Sequence, residues 1–138
     1  MVALKVEDVR SFTSKLFVKE DFDRFLVKEI NIITYNSFTI DGHVRQGYYT
    51  QEELEENRIE DFSSWKMLRP LCFSLIKGKK LPLSFHIVLS LAPGDVEKFA
   101  ASLGTGIDGS QIQGLYLNIR YEDGALYCIC LLYTSDAA

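Results

Sequence analysis

Residues 115–129 read LYLNIRYEDGALYCI, and that stretch decides the fold. Asp123-Gly124 is a strong two-residue hairpin turn, because its positions need the positive φ that Asp and Gly tolerate. Folding about it sets Tyr121 opposite Leu126 and Ile119 opposite Cys128, so apolar side chains gather on one face. The same register sets Arg120 opposite Tyr127 on the other face, where a cation–π pair is expected. Register and burial pattern agree on an antiparallel hairpin.

Working outward, residues 83–91 alternate cleanly. Phe85, Ile87, Leu89 and Leu91 share one face; Ser84, His86, Val88 and Ser90 share the other, as in a half-buried strand. Residues 25–34 are rich in Ile and Val and read as a strand. Tyr35 and Asn36 suit a turn, and 37–40 form a second strand ending at Asp41-Gly42. Residues 2–6 make a short strand. If the chain continues beyond 129, the strand 125–129 is an inner one whose neighbour is missing.

Helices fill the rest. Asp8 caps one running to about Phe17, with Val9, Phe12 and Leu16 on one face. Thr50 and Glu53 form a capping box that opens a helix over about 51–59. Between Glu52 and Asp61 there are six acids and one base, Arg58. A helix polar all round packs little, so this one is an exposed connection. Trp65, Leu68, Cys72, Leu75 and Ile76 follow helical spacing. Proline is best tolerated in a first turn, so Pro70 puts the start of that helix near Arg69, and Gly78 stops it. Pro93 and Asp95 open a further helix with Val96, Phe99, Ala100 and Leu103 in register, and 104–111 is a loop. The sum is α+β: one domain with a mainly antiparallel sheet and three to four helices packed on it.

Composition narrows the function classes. The chain has 138 residues, 47% hydrophobic and 25% charged, with a formal net charge of -4. Those values exclude a disordered tail, a collagen-like fibre and a coiled coil. A generic electrostatic nucleic-acid binder is basic, and this chain is acidic. It has no secretory leader and no apolar run of membrane-spanning length, so a cytoplasmic protein with no membrane role is expected. The three cysteines, Cys72, Cys128 and Cys130, suit a reducing compartment. Cys128 and Cys130 share a strand face, but two ligands do not make a zinc site.

The last nine residues, CLLYTSDAA, resemble a translated transposase adapter. On that reading 130–138 is a non-native tail, 1–129 is the domain, and the native sequence continues beyond it. A sheet cut in mid-strand exposes an unpaired edge, so aggregation is expected.

Four segments together resemble one family: LKVEDVRSFTSKLF, FTIDG, WKMLRPLCFSLIKGKKLPLSFHIVLSL and GLYLNIRYEDGALYCI. They look like the bacterial proteins grouped as the domain of unknown function 5721 family (DUF5721). The resemblance covers nearly all of 1–129, and 130–138 departs from it. The family's members look longer at the C-terminus, which agrees with truncation. No activity is established for the family, so the resemblance implies no catalytic residue.

The candidate site is the run from Lys66 to Lys80, which holds Lys66, Arg69, Lys77, Lys79 and Lys80 and no acid. Arg69 would lie near a helix N-terminus, where backbone N–H groups also attract anions. Lysines at a helix C-terminus also complement its dipole, an ordinary structural role. Trp65 is either core at helical spacing or a stacking platform. Asp41-Gly42-His43 pairs an acid with a base, yet catalysis would need a nucleophile or water facing His43, and no G-x-S-x-G occurs. His86 reads as a sheet-face residue. Gly104 to Gly109 spells G-x-G-x-x-G, but it follows a helix and precedes a strand, the reverse of a dinucleotide site. Tyr116, Asn118, Arg120 and Tyr127 on the hairpin surface could stack bases or pair with each other.

The expectation is a small non-catalytic binding or interaction module with no catalytic residue, metal or cofactor. Its partner is a protein or an anionic ligand, engaged through Arg69, Lys77, Lys79, Lys80 and Trp65. The alternative is a ligand sensor or enzyme acting on a phosphorylated or nucleotide-like anion, with the basic residues as clamps. A nucleic-acid-associated protein is the third reading.

Overall fold

The computed structural model describes residues 2–91, 95 and 112–134. Apart from Asp95, the expected helix and loop over 93–111 lie outside the described residues. The elements run β1 (Val2–Lys5), α1 (Val9–Phe17), β2 (Phe25–Ile33), β3 (Ser37–Asp41), α2 (Gln51–Glu56), α3 (Trp65–Ile76), β4 (Ser84–Leu91), β5 (Ile112–Glu122) and β6 (Ala125–Thr134). The strands form one six-stranded antiparallel sheet in the order β1-β6-β5-β4-β2-β3. The fold is therefore α+β and mainly sheet, with three helices among the described residues.

The hairpin register is the one the turn dictates: Tyr121 pairs with Leu126, Ile119 with Cys128 and Arg120 with Tyr127. Asp123 and Gly124 both take positive φ, 52° and 76°. Tyr121, Leu126 and Ile119 are buried, and Cys128 packs at the core's margin. Arg120 and Tyr127 correct one expectation. They are register partners and both exposed, but no cation–π contact joins them; among the described residues the ammonium over a ring is Lys28, 3.6 Å from the centre of Phe62.

Strand β6 does not lack a neighbour. β1 pairs along it, with Leu4 opposite Cys128 and Lys5 opposite Tyr127. The edge expected at this end of the sheet is thus covered from Tyr127 to Cys130, and the outermost strands are β1 and β3. β6 continues through Cys130 and Leu131, which pair with Leu117 and Tyr116 of β5.

Two helix boundaries also differ from expectation. Helix α3 begins at Trp65, not near Arg69, because Ser64 caps it: its Oγ accepts the Met67 N–H at 3.2 Å. Pro70 is then the sixth helical residue. It withholds a hydrogen bond only from the carbonyl of Lys66, and both residues face solvent, so water can satisfy that group. Helix α2 stops at Glu56 rather than near Ile59. Arg58 adopts φ 51°, and the Ile59 N–H reaches back to the Leu54 carbonyl at 3.0 Å, the closing bond of a Schellman turn.

One face of the sheet carries the core. Val27, Ile30, Ile32, Phe85, Ile87, Leu89, Ile119 and Leu126 meet Leu16 and Phe17 of α1 and Trp65 and Cys72 of α3. The Trp65 indole N–H donates to the Leu16 carbonyl at 2.7 Å, which locks α3 to α1. Ring contacts then run Trp65–Phe17–Phe85–Tyr121, so one aromatic chain links the helices to the hairpin. Such contacts add roughly 0.5–1.5 kcal/mol each beyond the area they bury.

Candidate functional site

The basic run lies on α3 and the loop after it, and its members separate. Trp65 is fully buried, so it is a core residue with no surface to offer a ligand. Arg69 faces inward. Its Nε and one terminal nitrogen donate to both oxygens of Asp23 at 2.8 and 3.0 Å, and the other donates to the Val18 carbonyl at 3.1 Å. These bonds to Asp23 hold the guanidinium charge more firmly than usual. The fork that would clamp an anion is already occupied. Lys66, Lys77, Lys79 and Lys80 are exposed, and none is in an ion pair among the described residues. The structure thus keeps these lysines together with neither Arg69 nor Trp65. Gly78 turns the chain at φ 139°, which separates Lys77 at the helix end from Lys79 and Lys80 in the loop.

The wheel of α3 explains what remains. Its inner arc holds Trp65, Leu68, Cys72, Leu75 and Ile76, all buried or half-buried. Its outer arc holds Met67, Pro70, Leu71 and Ser74 at i, i+3, i+4 and i+7, with Lys66 and Phe73 beside them. All of these are exposed: Met67 by 56%, Leu71 by 51% and Phe73 by 37%. A solvated helix face is ordinarily polar, so three exposed large apolar side chains on twelve residues need an account. The residues were visible in the sequence as the apolar positions left over once the core face is assigned.

At its N-terminal end this face opens into a groove of about 640 Å³, lined by Tyr49, Ile59, Phe62, Lys66 and Met67 among others. The segment before α3 builds it. Val27 N–H donates to the Ser63 carbonyl at 2.7 Å, and Ser63 N–H donates to the Gly42 carbonyl at 2.9 Å. The turn that follows α2, Asn57 to Glu60, forms the facing wall.

A second polar cluster sits behind Phe62. Asp41 Oδ1 accepts the His43 backbone N–H at 2.9 Å and lies 2.7 Å from Nδ1 of the same ring; Arg45 donates to Oδ2 at 3.1 Å. The His43 backbone N–H, then its ring and Arg45, pull the Asp41 carboxyl below its usual value. Lys28 reaches the same place because β2 is irregular between Val27 and Glu29. The Asp-Gly-His turn therefore does orient its histidine. Both side chains are at least half exposed, at 57% and 50%, so the pair lacks the dry setting that would strengthen its chemistry. His86 bonds Asn118 through Nε2 on the open sheet face. Among the described residues no three of His, Cys, Asp and Glu converge as a metal ion requires, and no helix is long and apolar enough to cross a membrane.

These features define a small α+β protein whose conspicuous surface is an apolar helix face. A family model described as a family of unknown function (DUF5721) matches residues 15–135, and the chain belongs to that family. No curated protein and no solved structure matches it.

Proposed function

We propose that the protein is a cytoplasmic, non-catalytic interaction module that binds another polypeptide through the outer face of α3. The observation that carries this reading is the exposure of Met67 and Leu71 on the outer arc of α3, opposite the arc that packs on the core, with Phe73 exposed on its flank. Burying such side chains in an interface is worth roughly 1.5–3 kcal/mol each before the costs of association. Lys66 beside the patch and Lys77, Lys79 and Lys80 at and beyond the helix's C-terminal end favour a partner that carries acids around an apolar centre. The three cysteines are free, as a reducing compartment would keep them.

The test is retention of a polypeptide, a second and differently tagged copy of this chain included, from cells by the wild type and by Met67→Glu/Leu71→Glu. The reading expects a partner held through high-salt washes and lost from the double variant, since an apolar contact is little screened. Equal retention by both proteins would overturn it. The anion-binding alternative rests on the unpaired amines of Lys77, Lys79 and Lys80. It expects pyrophosphate or a single-stranded oligonucleotide to bind with steep salt dependence, and to stop binding when those lysines become Ala.

A further inference from the structure

We infer that the partner of the α3 face is a second copy of this chain, docked about a two-fold axis with the two α3 helices antiparallel. This rests on the interaction reading above. Helix α2 buries none of its residues, and the acids from Glu52 to Asp61 form no ion pair among the described residues. Lys77, Lys79 and Lys80 are likewise unpaired. Within one chain the two sets do not meet. Tyr49, next to α2, contacts Met67 at the start of α3, with the Tyr49 hydroxyl 3.9 Å from the sulfur. The lysines lie at the other end of a twelve-residue helix, about 18 Å away at 1.5 Å per residue.

An antiparallel pair of α3 helices removes that separation. A two-fold axis near Leu71 sets the far end of each helix beside the near end of its mate, where α2 stands. The lysines of one protomer then face the acids of the other, twice over. The same placement sets Leu71 against Leu71 and brings Met67 within one residue of the small Ser74 of the mate, so the exposed apolar stripe covers itself. Two surfaces that are unpaired in one chain become complementary in two.

The experiment measures mass by light scattering on the intact chain over a range of concentrations. The wild type should reach twice 15.7 kDa. Leu71→Glu should weaken association about thirtyfold or more, as loss of a central contact does. Two charge-reversed proteins give the sharper arm. One carries Glu52→Lys/Glu55→Lys/Glu56→Lys, and the other carries Lys77→Glu/Lys79→Glu/Lys80→Glu. Each alone should be monomeric, because like charges then face each other; mixed in equal amounts they should form a heterodimer. A wild type that stays monomeric at every concentration, or a mixture that stays monomeric, overturns the inference. If that monomer still retains another polypeptide through Met67 and Leu71, the second copy is wrong and the interaction reading stands. If Leu71→Glu changes neither self-association nor retention, both fail.

Discussion

Arg69 of α3 and Asp23 of the loop before β2 form a two-pronged ion pair, with bonds of 2.8 and 3.0 Å between side chains only 17% and 11% exposed. The pair staples α3 to the loop between α1 and β2, and takes Arg69 out of the candidate anion site. Replacing Asp23 by Ala leaves the half-buried guanidinium with the Val18 carbonyl alone and should cost about 2 kcal/mol, as loss of hydrogen bonds to a charged group does. Trp65 is the only tryptophan and is buried, so its emission can follow urea unfolding of both proteins. Arg69→Lys should lose part of the same stability, because a lysine cannot make the fork.

Gly42 marks a place where backbone meets backbone. A Cβ there would lie 1.7 Å from the Val27 carbonyl oxygen. Gly42→Ala must therefore push the 42–44 turn off β2 and break the bonds from Gly42 to Lys28 and Ser63. The expected loss is about 3 kcal/mol or more, at the upper end of overpacking. Gly47→Ala has open space around it and only the strain of φ 92°, so about 1 kcal/mol is expected. Equal losses in urea melts would contradict the packing account.

Much of the sheet was legible in the sequence, and the reasons are local. Asp123-Gly124 set the hairpin register, and period-two alternation set the faces of β4. What failed were boundaries where one rule was applied without its competitor. Pro70 argued for a helix start at Arg69, whereas Ser64 and the buried Trp65 start it a turn earlier. The missing neighbour of β6 was β1, at the opposite end of the chain, and no local pattern encodes that pairing. Asp23 as the partner of Arg69 and the irregularity at Lys28 likewise depend on the assembled sheet. The outer face of α3 is legible as the apolar positions Met67 and Leu71 left over from the core face, but the lysines around them mask it in a reading by charge.

Burial pushes the Cys72 thiol up to about 12 from 9.0. Cys72 should therefore resist a thiol reagent in the native protein and react only on unfolding. The native form holds its proton where the unfolded form releases it. This contribution to stability is thus intact below pH 9.0 and is lost as pH rises towards about 12. Fast labelling of Cys72 in the folded protein at neutral pH would contradict its placement in the core.

The Asp41 carboxyl is lowered by the His43 N–H, so the sign reverses there. Its contribution is present above the ordinary value of 3.8 and is lost as pH falls through its lower folded value. Asp41→Asn should lower stability at neutral pH, and the difference from wild type should shrink in acid. Because the group is exposed, the effect should be small; urea melts across the acid range would show it. A gap that widens on acidification would place the turn's bonds elsewhere.

We hold that the outer face of α3 is covered by another polypeptide. Met67 is one of only two methionines, so its methyl gives a resolved NMR signal in labelled protein. On going from dilute to concentrated solution, that signal should shift or broaden, and Leu71→Glu should hold it at its dilute position. A Met67 methyl that stays in place and fully open to solvent at every concentration would contradict the claim.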